Sequence, residues 1–229
     1  LAPQFAFVRD VVRSFNIPIF ELEGFEADDL VGTLAKQAEA EEVDGEKLET
    51  VIVSGDMDTL QLVDDQTKVF TPRKGISDTI LYDENQVKER YGFEPKKLID
   101  YKGLRGDPSD NIPGVPGIGE KTGMQLIQAY GSVEGVYENL AFIQGKLKER
   151  LQENADQAAL SKVLATIRVD IASKAVIRCK RPIPSGGARG LRGFVHEPIG
   201  EGARALDGGN SRVDSPDHRR RRNRQAFAQ

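Results

Sequence analysis

The chain has 229 residues with 32 Lys plus Arg, 36 Asp plus Glu, two His, one Cys and no Trp, for a formal net charge of −4. Its single thiol, Cys179, excludes an internal disulfide, and His196 and His218 stand at spacings that form no zinc ligand set with it, which fits a reducing cytosol. The charge is divided: residues 1–172 hold 19 basic and 31 acidic side chains, net −12, while residues 173–229 hold 13 and 5, net +8, so the two segments are read separately.

No apolar run approaches the roughly 18 residues of a membrane span, and no charged-then-apolar leader is visible, so no membrane partner is expected. The chain begins Leu-Ala-Pro-Gln inside an amphipathic pattern (Phe5, Val8, Val11, Val12, Phe15), which predicts a first helix and a fragment whose start lies upstream. Ile17 to Leu22 is short, partly alternating and bounded by Pro18 and Gly24, and predicts a strand. From Glu26 the period is helical, with Ala27, Val31, Ala35, Leu30, Leu34 and Ala38 on one apolar face. Thr50 to Val53 predicts a buried parallel strand, apolar on both faces, ending at Ser54-Gly55-Asp56. Strand, helix and strand together make a βαβ unit, which favours an α/β sheet with ligands at the carboxyl ends of its strands.

Thr67 to Thr71 and Thr79 to Tyr82 predict two more short strands. Beyond Asp83 the signals are helical: Asp83 caps Glu84 to Tyr91, Pro95 opens a helix through Lys102, a third runs from Glu120 to Ala129, Ser132 caps Val133 to Leu140, and residues 144–168 carry two more. The expected organisation is an α/β part over 1–82 and a helical part over 83–172. From about residue 173 Arg, Gly, Pro and Ala dominate without periodicity, which is consistent either with a disordered basic tail or with translation past a frame error.

Three acidic clusters stand where a hard divalent cation would need oxygen ligands. Glu26, Asp28 and Asp29 open the helix after the first predicted strand, Asp56 and Asp58 follow the second, and Asp107 and Asp110 flank Pro108-Ser109. Each has an ordinary structural reading, as first-turn acids, turn residues or helix caps. Convergence of all seven would be costly without cations to offset the repulsion.

The most specific signal is Asn111-Ile-Pro-Gly-Val-Pro-Gly-Ile-Gly-Glu-Lys-Thr-Gly123. A Pro/Gly loop running straight into a helix turns backbone N–H groups outward, and phosphate is their natural partner. Gly114, Val115, Gly117, Ile118, Gly119, Lys121 and Thr122 are the candidate DNA-binding residues, with Ile118 anchoring the loop in the core. The pattern is a helix-hairpin-helix, which grips the DNA backbone without reading sequence.

Residues 24–35 (GFEADDLVGTLA), 53–58 (VSGDMD) and 106–122 (GDPSDNIPGVPGIGEKT) resemble, in order and spacing, the 5′ nuclease domains of bacterial DNA polymerase I, which are similar to the flap endonucleases. The resemblance covers residues 1–172 and implies a partial parallel sheet flanked by helices, followed by an all-α helix-hairpin-helix part. It implies that Glu26, Asp28, Asp29, Asp56, Asp58, Asp107 and Asp110 ligate two divalent ions, Mg²⁺ or Mn²⁺, with Asp28, Asp29, Asp56 and Asp58 nearest the chemistry. It further implies that the loop over 114–119 binds duplex phosphates, with a monovalent cation such as K⁺ on its carbonyls. The implied activity is 5′-to-3′ exonuclease or 5′-flap endonuclease hydrolysis on duplex DNA with a 5′ end or flap, in the bacterial cytoplasm. Two departures are visible: Gly123 replaces the family's usual Ala, and the family's upstream strand and arch, with two further acids, are not in the sequence, so the fragment is expected to be impaired.

Two other functions fit parts of the chain. A binding-only module would use the hairpin without cleavage, and a phosphatase of the haloacid dehalogenase type would read Asp56-Met57-Asp58-Thr59 after its strand as an Asp-x-Asp-x-Thr motif with Asp56 as nucleophile, leaving the hairpin unexplained.

Overall fold

The computed structural model describes residues 4–74 and 78–171; the predicted basic tail lies outside them. Two compact units divide the described residues, the first holding 4–48 and 169–171, the second 49–74 and 78–168. The boundary expected after residue 82 falls inside the second unit.

In the first unit α1 (Gln4–Ser14) forms where expected, but Val8, Val11 and Phe15 of its apolar stripe are exposed. Residues 17–22 form no strand among the described residues. Alternation alone does not make a strand, because the extended backbone needs a partner edge for its hydrogen bonds. The predicted βαβ unit is therefore absent. Next comes α2 (Ala27–Glu39), which starts after Glu26 and buries its small residues Gly32, Ala35 and Ala38. A tight antiparallel ribbon follows, β1 (Glu42–Val43) with β2 (Glu46–Lys47). Asp44 and Gly45 at its tip have φ of 57° and 80°, the left-handed pair that a two-residue hairpin turn requires.

The second unit holds a three-stranded sheet in the order β3 (Thr50–Val53), β4 (Thr67–Lys74), β5 (Asp78–Tyr82). β3 runs parallel to β4, so the parallel pairing exists, but its partner lies downstream instead of at residues 17–22. β4 pairs antiparallel with β5, with a register shift between Pro72 and Lys74. Pro72 lacks an N–H for the ladder, and such an irregularity accommodates it. One sheet face is buried through Ile52, Thr67, Val69, Thr71 and Tyr82. The other is open: Val51 and Val53, expected to be buried, are 47% and 72% exposed.

A 3₁₀ helix over Met57–Leu62 makes the crossover between β3 and β4 and buries Leu60. The helical layer is α3 (Glu84–Tyr91), α4 (Leu98–Arg105), α5 (Glu120–Tyr130), α6 (Val133–Glu138), α7 (Gly145–Glu153) and α8 (Ala155–Ala165). Asp83 caps α3 by accepting from Gln86 N–H at 2.9 Å, and Gln86 reciprocates in a capping box. Pro95 opens a 3₁₀ turn over Pro95–Lys97, so α4 itself begins three residues later than expected and runs three residues further. Ser132 caps α6 through Gly135 N–H at 3.0 Å.

Helix α4 is the hub, packing on α8, α5 and α6. Gly103 allows the close approach: a Cβ there would lie 2.9 Å from Lys162 Cβ of α8. Buried Asp100 of α4 accepts from Val133 N–H at 2.9 Å and from Lys162 Nζ at 2.6 Å, satisfying a helix-start donor and a cation with one carboxylate.

Candidate metal centre and hairpin

Two elements of the second unit carry chemistry, and both hang on the C-terminal end of α4. The first is an acidic trio. Asp58, Asp107 and Asp110 each present a carboxylate oxygen such that these atoms lie within 4.8 Å of one another. Asp58 stands on the 3₁₀ crossover after β3, its N–H held by Asp56 Oδ1 at 2.9 Å. Asp56 is fixed in turn by its own N–H donating to Ser54 Oγ at 3.0 Å. Asp107 follows the α4 cap Gly106, whose φ of 74° turns the chain sharply. Asp107 and Ile112 exchange two backbone hydrogen bonds of 2.8 Å, which close the 107–112 loop and bring Asp110 back to the trio.

Lys102 of α4 binds two members of the trio. Its Nζ donates to Asp107 Oδ2 at 2.8 Å and to Asp58 Oδ1, with the lysine residue 7% exposed. Burial pushes the Lys102 ammonium down, but the hydrogen bonds and charges of Asp107 and Asp58 outweigh it and hold the amine above its usual range. The two carboxylates respond in opposite directions. Burial pushes Asp58 up and, with the nearby charges of Asp56 and Asp110, prevails over the lysine. At Asp107 burial acts upward too, but hydrogen bonds from Lys102 and Ser109 overcome it and leave the carboxyl below its usual range. The difference lies in what answers burial: at Asp58 burial is the largest influence and the charges of Asp56 and Asp110 add to it, whereas Asp107 Oδ1 also accepts from Ser109 Oγ at 2.5 Å.

The remaining sequence candidates sit as follows. Asp56 is the cap of the crossover, adjoining the trio without joining it. Thr59 Oγ1 donates to Asp56 O at 2.6 Å, so Asp56-Met57-Asp58-Thr59 forms a capped 3₁₀ turn, and its threonine stands one residue short of the Asp-x-Asp-x-Thr spacing, where Leu60 is found. In the first unit, Glu26 caps α2, and Asp29 Oδ2 accepts from Glu26 N–H at 3.4 Å while Asp28 lies in the same first turn.

The second element is the hairpin. Val115 and Ile118 are buried, and their N–H groups donate to Leu104 O at 2.7 Å and Val115 O at 3.0 Å. Gly114 has φ 60°, donates to buried Ser161 Oγ at 3.0 Å and accepts from Gln157 Nε2 at 2.6 Å. Gly114, Val115 and Ile118 therefore anchor the loop. Gly117, Gly119 and Lys121 are exposed, Thr122 is half-buried, and α5 starts immediately after Gly119 with its first N–H groups unpaired within the helix. Arg150 of α7 reaches the loop, its Nη1 donating to Gly117 O at 3.3 Å.

Lys102, Ser161, Gln157 and Arg150 escaped the sequence reading. For Lys102 a signal existed: it sits among Leu98, Tyr101 and Leu104, where a lysine on a core-facing helix demands a buried anion.

Comparison with known proteins gives a consistent assignment. The profile described as "5'-3' exonuclease, N-terminal resolvase-like domain" matches residues 1–92, and "5'-3' exonuclease, C-terminal SAM fold" matches residues 93–181. DNA polymerase I of Bacillus subtilis (strain 168) is 50% identical over 171 residues, covering 74% of this chain and 19% of that protein. DNA polymerase I of Bacillus caldotenax is 47% identical over 171 residues with the same coverage. The chain thus spans about a fifth of the length of these relatives. A structure of T5 5'-exonuclease with bound zinc superimposes with a TM-score of 0.60 at 24% identity, covering 70% of this chain and 58% of that one. The catalytic core of Rad2 in complex with DNA gives 0.51 at 18% identity, covering 74% and 58%; at these identities the likeness shows the fold. The resolvase-like and helical halves match in order along one chain, and the chain belongs to the 5'-3' exonuclease family.

Proposed function

We propose that the chain hydrolyses DNA phosphodiesters from 5′ ends or at 5′ flaps, as the nuclease portion of a bacterial DNA polymerase I acting in replication and repair in the cytoplasm. The observation that carries this is the Asp58–Asp107–Asp110 trio on the same unit as a helix-hairpin-helix. The T5 relative named above binds divalent metal and the Rad2 core binds DNA, which supports both halves of the reading.

The donor set suits a hard divalent cation: three carboxylates with oxygens within 4.8 Å and no nitrogen or sulfur ligand among them. Asp58, Asp107 and Asp110 would hold it, Mg²⁺ or Mn²⁺ by chemistry. When bound, such ions lower the pKa of coordinated water and stabilise charge on the phosphate. The protein's own residues do the rest. Asp56 and Ser109 orient Asp58 and Asp107, and Lys102 keeps the carboxylates at one spot despite their repulsion. Gly117, Gly119, Lys121 and Thr122 receive duplex phosphates on a loop that Gly114, Val115 and Ile118 hold rigid. Glu26, Asp28, Asp29 and Asp56 enter the proposal as ligands, and a second ion with them, on the family motifs alone. A K⁺ ion on the hairpin would compete with Gln157 and Arg150 for the carbonyls of Gly114 and Gly117.

The test is Mg²⁺-dependent cleavage of a 5′-flap duplex by the chain and by Asp58→Asn and Asp107→Asn. Cleavage is expected to vanish in EDTA and to fall at least about a hundredfold in each variant. Cleavage that survives both substitutions removes the assignment. Binding-only function is favoured by the completeness of the hairpin, and salt-dependent duplex binding without cleavage in Mg²⁺ singles it out.

A further inference from the structure

A cavity of about 220 Å³ opens beside the acidic trio, and its lining includes Asp58, Lys102 and Asp107 together with Arg90, Tyr91, Tyr101 and Arg105. All of these residues belong to the second unit. The two arginines are the unusual feature. Among the described residues neither guanidinium forms an ion pair; each is held by tyrosine instead. The Arg90 guanidinium lies 5.4 Å from the Tyr91 ring centre and 6.0 Å from that of Tyr82, and donates to Tyr82 Oη at 2.8 Å. Arg105 lies 5.8 Å from the Tyr101 ring centre. Tyr91, Tyr101 and Phe93 pack mutually with centroids 5.9 Å apart, so the rings that position the guanidiniums are themselves fixed.

We propose that Arg90 and Arg105 form a binding site for a phosphate of a DNA strand, in the cavity between the acidic trio and the start of α5. The site rests on the nuclease reading and goes beyond it, because neither arginine belongs to the acidic motifs or to the hairpin. Three physical points support it. A guanidinium stacked on an aromatic face keeps its N–H edge available, and that edge matches phosphate oxygens. Lys102, the third cation of the cavity, is already committed to Asp58 and Asp107, which leaves the two arginines as the anion ligands. Asp58, Asp107 and Glu120 also line the cavity and repel an anion, so a phosphate settles at the guanidiniums. Burial also pushes the Tyr101 phenol up to about 12, so it remains a neutral donor beside Arg105.

The test uses the full chain in EDTA buffer with two probes, tetrathymidylate with and without a 5′-phosphate, measured by titration calorimetry at several salt concentrations. Wild type is expected to bind both. Tighter binding of the phosphorylated probe places a terminal monoester in the site, and equal binding places an internal diester there. Arg90→Gln with Arg105→Gln is expected to weaken binding at least tenfold and to flatten the dependence of log K on log salt by about 0.7 for one lost phosphate contact. The paired lysine variants, which keep charge and side-chain stem, should recover part of the affinity and guard against a folding artefact. Absence of wild-type binding, or equal affinity and slope in wild type and the glutamine variant, overturns the proposal. Cleavage of the flap duplex is read separately. Arginine-dependent binding without any cleavage would remove the nuclease reading and keep this site. Cleavage with KM unchanged in the glutamine variant would keep the nuclease reading and remove this site.

Discussion

Lys102 Nζ lies 2.8 Å from Asp107 Oδ2 at the closed end of α4, and the same ammonium holds Asp58 from the other side. One internal cation therefore joins two loops that would otherwise repel. Removing one partner of a buried charge cluster typically costs about 3 to 5 kcal/mol, because the opposing charges stay behind. Lys102→Met is expected to unfold at a temperature several degrees lower in EDTA. A divalent cation that binds the folded trio should return part of that loss. The rise in melting temperature on adding Mg²⁺ should thus be larger in Lys102→Met than in wild type, as differential scanning fluorimetry can measure. An equal rise in both would show that the lysine does not share the cation's place.

The hairpin glycines separate folding from binding. A Cβ on Gly114 would lie 2.2 Å from the Gly106 backbone nitrogen at a φ of 60°, so Gly114→Ala should destabilise by upwards of about 3 kcal/mol, strain and overlap together. Gly119 has φ −92° and nothing within 4 Å of a built Cβ. Gly119→Ala should change stability by no more than about 1 kcal/mol while weakening duplex binding several-fold, because the methyl group obstructs close approach of a phosphate. Thermal unfolding and fluorescence anisotropy on a duplex check the two halves.

Ser161→Ala tests how α8 supports the loop. The hydroxyl is fully buried and accepts from Gly114 N–H, so alanine strands a buried donor at a cost of about 1 to 3 kcal/mol. Urea unfolding should show that loss. A change under about 0.5 kcal/mol would mean that the loop finds another acceptor.

Acid stability should depend on Glu134. Its hydrogen bond from Lys162 holds the carboxyl below its usual 4.5. A depressed carboxylate contributes stability above its unfolded value and loses that contribution as pH falls through the lower folded value. Glu134→Gln should therefore be slightly less stable than wild type at pH 7, with the gap closing as the pH falls below 4.5. The side chain is 62% exposed, so the gap should also shrink in high salt. A gap that stays constant as the pH falls below 4.5 would contradict this.

Local chemistry was readable from residue order. Asp83 with Gln86 and Ser132 with Gly135 are caps that act over three residues, and the succession of Pro, Gly and Ile over 112–119 dictates a tight loop before α5. The turn at Asp44-Gly45 was equally local and was overlooked, although Asp-Gly between short extended runs is a strong hairpin signal. The strand expected at residues 17–22 fails for the opposite reason: a strand exists only with a partner edge, and alternation does not supply one.

The residue order by itself determined the family, through three acidic motifs and the hairpin in fixed succession, and it determined most helices, whose hydrogen bonds close within four residues. Only the tertiary structure decided which acids meet. Asp58, Asp107 and Asp110 converge because α4 and the crossover after β3 pack together, and Lys102 reaches Asp58 across 44 residues of sequence. Ser161 likewise supports Gly114 from 47 residues away. Periodicity records which face of an element is buried, but not what it is buried against. A buried lysine or serine becomes interpretable only when the packing names its partner.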